Sequence, residues 1–320
     1  MIINTGGRTD TVQYFSAWLL KRFAEGYVLV RNPLFPDKVT RYELSPGLVD
    51  CVVFCSKNYR PILPRLREIT DRFHTYFYYT ITAYGRDVEP GVPSVRESVE
   101  TLIELASIVG PRRVAWRYDP VLLTRDYTIE RHCDTFERMA SVLAPYIDRC
   151  IFSFVELYRK VQFNMPELIP LNDTYRNELA AFLGASAARH GIVIQTCGTD
   201  CDYSRWGIRQ SGCITLDILG RANGIKFRKL KHNGIRAGCH CIETHDIGAY
   251  DTCLNGCKYC YANRNPRKAF ENRKYHDPAS PLLLGHLRPE DTVTPGVQRS
   301  FLVKTPSARN DDASAQPDLF

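Results

Sequence analysis

The chain has 320 residues, enough for one large domain or a domain with an appended lobe, and its 44% hydrophobic content supports a full core and excludes a disordered or fibrous chain. No apolar run approaches the roughly 20 residues that cross a bilayer, and residues 1–8 lack the basic flank and apolar stretch of a secretory leader, so a cytoplasmic protein with no membrane partner is expected. The net charge of +7 is concentrated in 221–274, where 12 Lys and Arg face 4 Asp and Glu. That bias suits a negative substrate, cofactor or nucleic acid, and equally a solvated face that balances metal-bound thiolates.

Short apolar runs alternate with helical patterns through residue 196. Strands are expected at 2–4, 51–54, 76–83, 114–118, 150–155 and 192–196, with helices near 14–24, 63–73, 94–109, 128–143 and 172–190. The third helix is the best marked. Ser94 and Glu97 form a capping-box pair, Val95, Val99, Leu102, Ile103 and Ala106 trace one apolar face, and Gly110-Pro111 stops it. Six strand–helix units in a row imply parallel strands with helical crossovers, as in a full or partial (β/α) barrel. A doubly wound open sheet is the alternative, although no Gly-x-Gly-x-x-Gly follows the first strand.

After residue 197 the pattern breaks into short segments rich in Gly, Cys and basic residues, with a helix expected near 213–221. The expected organisation is a barrel-like domain at 1–196, a Cys-rich basic cluster-binding lobe at 197–276, and a loose tail at 277–320 where Pro, Ser and Asp accumulate.

Twelve cysteines in a reducing compartment point to metal or redox chemistry more than to disulfides. Eight of them crowd between Cys197 and Cys260. The run Cys253-Leu-Asn-Gly-Cys257-Lys-Tyr-Cys260 can wrap one metal centre from a single loop, with Gly256 allowing the tight turn. Soft thiolates select zinc or an iron–sulfur cluster, and a [4Fe–4S] cubane held by three cysteines leaves one iron open. A structural zinc completed by Cys239 or Cys241 is the plainer alternative. Cys197, Cys213, Cys239 and Cys241, with Cys201 as a rival for Cys197, offer a second set for another cluster or a zinc, or else pack as small apolar thiols. Cys51, Cys55, Cys133 and Cys150 lie in apolar patterns and read as packed thiols, and His132 reads as a surface or core residue rather than a ligand.

The spacing Cys-x3-Cys-x-aromatic-Cys, with Tyr259 as the aromatic, resembles the signature of the radical-SAM superfamily. The resemblance implies a cluster whose open iron binds S-adenosylmethionine and a reductant protein that loads it with electrons. In that superfamily the motif usually follows the first barrel strand, whereas here it follows the whole strand–helix series, so the usual S-adenosylmethionine contacts are not carried over. The strings Gly7-Arg8-Thr9-Asp10, Val49-Asp50-Cys51, Ser56-Lys57-Asn58, Trp116-Arg117-Tyr118-Asp119-Pro120 and 246–253 resemble the bacterial family called domain of unknown function 1848. That likeness implies an iron–sulfur, radical-SAM-like protein and supplies no substrate. Many of its members carry Phe-Trp-Thr-Lys-Asn-Pro where this chain reads Phe54-Cys55-Ser56-Lys57-Asn58-Tyr59, which implies an altered pocket wall.

Polar residues stand where barrel strands end: Arg8 and Asp10, Lys57 and Asn58, Arg117 and Asp119, then Glu156, Tyr158 and Lys160. A spacing of two puts Arg117 with Asp119 on one face, and likewise Glu156 with Tyr158 and Lys160. At a barrel mouth these are candidate catalytic groups for carboxylate, phosphate or ribose; as internal ion pairs they only stabilise the barrel. The last five residues, Gln316-Pro317-Asp318-Leu319-Phe320, resemble the peptide by which DNA-repair and replication proteins dock on the sliding clamp. Three functions follow: a radical-SAM-type enzyme acting on an unidentified substrate, for which nucleic acid is one candidate; a non-catalytic nucleic-acid-binding protein stapled by zinc or an iron–sulfur cluster; and an electron carrier, which leaves the polar mouth unexplained.

Overall fold

A computed structural model describes residues 1–199, 201–228 and 238–303. Its main sheet has eight strands, all pairing in parallel. In chain order these are β1 (Ile2–Asn4), β4 (Cys51–Ser56), β5 (Thr75–Thr80), β6 (Val114–Val121), β7 (Arg149–Phe154), β8 (Val193–Thr196), β9 (Arg209–Gln210) and β10 (His245–Asp246). The spatial order is β10-β1-β4-β5-β6-β7-β8-β9, so β4 to β9 each add on the same side and only the last strand, β10, returns to pair with β1. A doubly wound sheet would switch direction. The arrangement is a partial α/β barrel.

Connecting helices cover one face of this sheet: α1 (Thr11–Tyr14), α2 (Ser16–Glu25), α3 (Arg67–Thr70), α4 (Val95–Val109), α5 (Ile129–Leu143) and, after the short α6 (Arg159–Asn164) whose Val161 joins a separate cluster with Tyr84 and Leu122, α7 (Asp173–Arg189). Ser94 and Glu97 complete the capping box of α4, and Gly110 ends it. Alternate strand residues (Val52, Phe54, Phe77, Trp116, Phe152 and Ile194) pack against Trp18, Leu102, Phe136 and Leu183 from the helices. The Phe54 and Phe77 rings stack at 4.8 Å, as do Trp116 and Phe136. Each such buried side chain contributes roughly 1.5–3 kcal/mol.

The other face is covered by the segment after β9. Ile218 and Leu219 of α8 (Leu216–Asn223), with Ile214, Cys241 and Ile242, pack on Ile2, Val53, Tyr76, Tyr78, Ala115 and Ile151. Asn223 pins the lower end of this plug by exchanging hydrogen bonds with the Thr75 backbone at 3.1 and 3.2 Å. The Cys-rich stretch therefore does not stand apart from the barrel. It fills the sheet's inner face and supplies its two edge strands, because its scattered Ile and Leu residues match an otherwise uncovered apolar surface.

A second sheet escaped the sequence pattern. β2 (Tyr27–Arg31) and β3 (Lys38–Glu43) form an antiparallel hairpin, and β11 (Thr292–Pro295) adds in parallel to β3. Among the described residues the final helix is α9 (Pro266–Arg273). The expectation of a loose tail from 277 needs correction over 277–303. Trp18 donates its indole N–H to Ser280 O at 2.9 Å, Leu282 is buried against Leu29 and Val39, and Arg31 pairs with Asp291. A short Leu282-Leu283-Leu284 run and the alternation of Thr292-Val293-Thr294 were hidden in a composition that reads as linker. The clamp-like peptide at 316–320 lies outside the described residues. Among the described residues no helix is long and apolar enough to cross a membrane.

Burial of Leu282 at 2% exposure predicts that Leu282→Ala costs about 2–5 kcal/mol in urea unfolding. A cost near zero would mean that 277–303 is not part of the folded unit.

Candidate metal centres at the barrel mouth

Parallel strands end together, so the loops after β1, β4, β5, β6, β7, β8 and β10 meet at one rim. The loop 251–260 docks there mainly through backbone. Gly91 N donates to Asn255 O at 2.8 Å, and Lys258 N donates to Val88 O at 3.0 Å. A Cβ on residue 91 would sit 2.8 Å from Asn255 Cα and Leu254 O, so only glycine permits this approach. Gly256 adopts φ +65°, which makes the turn between Cys253 and Cys257.

Asp10 is the anchor beneath this loop. Its buried carboxylate accepts from Gln13 N (2.9 Å), Ser56 Oγ (2.7 Å), Lys57 N (2.9 Å) and Asn255 Nδ2 (3.4 Å). Burial raises its pKa, and those donors pull the other way. Lys57 reaches Glu89 at 2.9 Å, and Glu89 also accepts from Thr82 Oγ1 at 2.8 Å and from the Tyr259 hydroxyl. Burial works against the Lys57 ammonium, yet the Glu89 carboxylate and the nearby Cys257 turn the net shift upward.

The three loop cysteines are half-buried. Desolvation pushes the Cys253 thiol up to about 12, opposed by the N–H groups of Asn255 and Asp10, and raises Cys257 against the pull of Lys57. Ala262 N donates to Cys260 Sγ at 3.3 Å. Cys253 and Cys257 each feel Cys260 electrostatically. They are nevertheless not drawn together as tightly as a second group.

That second group is Cys197, Cys213 and Cys241, whose sulfurs all lie within 4.8 Å of one another. Cys213 and Cys241 are 3.2 Å apart. Cys197 follows β8, Cys213 follows β9, and Cys241 lies four residues before β10. Cys239 of the expected four packs on the same apolar cluster but is not in the group, and Cys201 stands beside Tyr203. Hydrogen bonds from Cys213 and Cys241 lower the Cys197 pKa, while the same contacts raise Cys213, so the trio shares charge centred on Cys197. Three converging soft donors fit a thiophilic metal.

The remaining expected residues separate by role. Arg117 and Asp119 are an internal ion pair, with Ser153 donating to the same carboxylate. Arg117 also lies in the field of Cys55, Cys197 and Cys213. Arg8 lies over the Tyr250 ring at 5.7 Å, and Asn58 shapes its own loop through Ser56 and Arg60. Lys160 donates to Asn263 O and the Tyr158 hydroxyl to Glu156, so the expected Glu156–Lys160 grouping is divided between two partners. A cavity of about 330 Å³ opens beside them, lined by Ser153, Glu156, Arg176 and Cys197 among others. Cys51 and Cys150 are buried, and Cys55 and Cys133 half-buried. His132 is a core residue, bonded to the Tyr118 hydroxyl (2.7 Å) and Leu122 O (2.8 Å). Of the basic stretch, Arg221, Lys258, Arg264 and Arg267 pair with acids, and 229–237 lies outside the described residues.

Sequence reasoning missed Glu89, Asn255 and Tyr261. Tyr261 donates to Gly7 O at 2.6 Å and lies within the fields of Cys55, Arg117, Asp246 and Cys260. Only the placement of Asn255 and Tyr261 inside and beside the cysteine motif could have pointed to them. Glu89 carries no local signal.

The fold and the sites define a partial α/β barrel with a candidate three-cysteine metal centre at its mouth. The chain belongs to the family described as Domain of unknown function (DUF1848), whose model matches residues 2–262. Comparison with curated proteins and with solved structures finds no match.

Glu89→Ala strands the Lys57 ammonium and is expected to cost about 3–5 kcal/mol, with part recovered by adding Lys57→Met; denaturant unfolding of the two variants measures it, and a loss below about 1 kcal/mol would mean solvent screens the pair. Burial lowers the His132 pKa from 6.5 to about 4. The unfolded chain therefore binds a proton that the folded one refuses. Stability falls as pH drops from 6.5 towards 4, by up to about 3 kcal/mol, and levels off below. His132→Gln should flatten that part of the pH–stability curve, and an unchanged slope would assign it to other groups.

Proposed function

We propose that the chain is a radical-SAM-type iron–sulfur enzyme in which Cys253, Cys257 and Cys260 ligate a [4Fe–4S] cluster. The observation that carries this reading is the anchoring of that loop at the C-terminal rim of the barrel by Asp10, Gly91 and Glu89, where barrel enzymes keep their chemistry. The donor set fits. Three thiols come from one short loop, not drawn as close together as ligands of a single tetrahedral ion, and N–H groups from Asp10, Asn255 and Ala262 support the sulfur charge.

When bound, such a cluster supplies the electron that cleaves S-adenosylmethionine to a 5′-deoxyadenosyl radical. This chain's residues bind, orient and shield. Lys57, Arg8 and Arg117 carry positive charge around the mouth and suit a carboxylate. Glu89 holds Lys57 charged and fixes the Tyr259 ring beside it. Tyr84, Tyr127 and Val155 wall the side of Tyr259 with apolar surface and keep water from it. A reductant protein would supply electrons. The substrate class rests on charge alone, and the pairing of Arg221, Lys258, Arg264 and Arg267 with acids weakens nucleic acid as the choice.

A second reading, a metal-stapled nucleic-acid-binding protein, is favoured by the tight Cys197 group. It predicts zinc without iron and affinity for nucleic acid that falls steeply with salt.

Protein purified without oxygen should carry iron. After reduction with dithionite it should release 5′-deoxyadenosine from S-adenosylmethionine, and Cys257→Ala should abolish both. Iron-free protein, or iron content unchanged with all three loop cysteines replaced by alanine, would end the proposal.

A further inference from the structure

We infer that Cys197, Cys213 and Cys241 hold one mononuclear, soft divalent cation of the zinc class, at a centre separate from the Cys253–Cys260 loop. The inference does not rest on the radical-SAM reading.

Sulfur spacing decides the nuclearity. Zinc–thiolate bonds of about 2.3 Å in tetrahedral array put sulfurs about 3.8 Å apart. The three sulfurs here lie within 4.8 Å of one another, with the Cys213–Cys241 pair at 3.2 Å, so a single ion fits after a small expansion. A cubane binds each cysteine through a different iron and holds the sulfurs farther apart than ligands sharing one ion. A disulfide needs about 2.05 Å between two sulfurs and gives the third no role.

The surroundings match a thiolate–metal site. Ile214 N points at Cys241 Sγ from 3.5 Å, an N–H···S contact of the kind that stabilises bound thiolates. Three thiolates and a divalent cation leave one negative charge, and the Arg117 guanidinium, fixed by Asp119, lies in the field of Cys197 and Cys213. The three cysteines come from three segments joined only through the sheet and its plug. Gln195 Nε2 donates to Gly212 O at 3.0 Å, Ile242 N to Ile214 O at 2.9 Å, and the Tyr78 hydroxyl to Cys213 O. An ion there would tie β8, the α8 plug and the approach to β10 together. Cys197 also forms part of the wall of the 330 Å³ cavity, so the ion is reachable from solvent.

The test uses full-length protein with Cys253, Cys257 and Cys260 changed to serine, which removes the loop ligands. Elemental analysis should find about one zinc per chain, and cobalt substitution should give intense thiolate-to-metal charge-transfer absorption. Adding Cys213→Ser or Cys241→Ser should cut zinc below about a tenth, whereas Cys239→Ser should leave it at one. Because a serine variant could misfold, the unmutated protein gives a second readout. Mass-spectrometric alkylation should find Cys197, Cys213 and Cys241 protected until a zinc chelator is added, with Cys51 and Cys150 unaffected by the chelator. Zinc retained in the Cys213→Ser/Cys241→Ser double variant, zinc lost in Cys239→Ser, iron in place of zinc, a Cys213–Cys241 disulfide, or alkylation insensitive to chelator would each overturn the inference.

Discussion

The mouth of this barrel is organised around one buried carboxylate. Asp10 accepts hydrogen bonds from the start of α1, from the loop after β4 and from Asn255 inside the cysteine loop. Those segments lie up to 245 positions apart in sequence, and no apolar contact would fix their relative heights as closely as a shared acceptor. A buried carboxylate without these donors would be costly, so the loops and the acid hold one another in place. The same logic recurs at Glu89, which gathers Lys57, Thr82 and Tyr259.

Arg117 shows why strand-end polar residues are ambiguous. Its alternation with Asp119 marked both as inner-face groups, and they do meet as an ion pair. The Arg117 guanidinium nevertheless also lies in the field of two cysteines of the tight group. A residue can balance a partner on its own strand and still set the potential of a site, so stabilising and functional readings of one side chain need not compete.

Legibility in the sequence followed the range of the interactions. The six strands and four of the five helices of the barrel series were readable because each is written in a local period, and Ser94 and Glu97 even marked a helix start, whereas the helix expected near 63–73 is only a 3-10 turn and the four-residue α3. The loop of Cys253, Cys257 and Cys260 stood out in the sequence because its cysteines are close neighbours in the chain. Cys197, Cys213 and Cys241 were legible only as members of a looser set with Cys239 and Cys201, since two intervals of 16 and 28 residues close only after the sheet and α8 have formed. Cys239, nearer to Cys241 in the chain than either partner, was included by proximity and sits outside the group. The β2–β3–β11 sheet escaped for a related reason: its third strand comes from a stretch whose Pro and Ser content masks one brief alternation.

The order in which the plug is written has a consequence for biosynthesis. Strands β1 to β8 emerge from the ribosome before residue 197, with Tyr76, Tyr78, Val53 and Ile151 facing a space that nothing yet occupies. The covering residues, Ile214 to Ile242, arrive later, and the edge beside β1 waits for His245. A nascent chain of this kind displays a wide aromatic surface and an unpaired parallel edge for several seconds at ordinary elongation rates of about 5–20 residues per second. The linear arrangement of the chain thus leaves the inner face and one sheet edge uncovered until the plug has been synthesised, independently of how stable the finished barrel becomes.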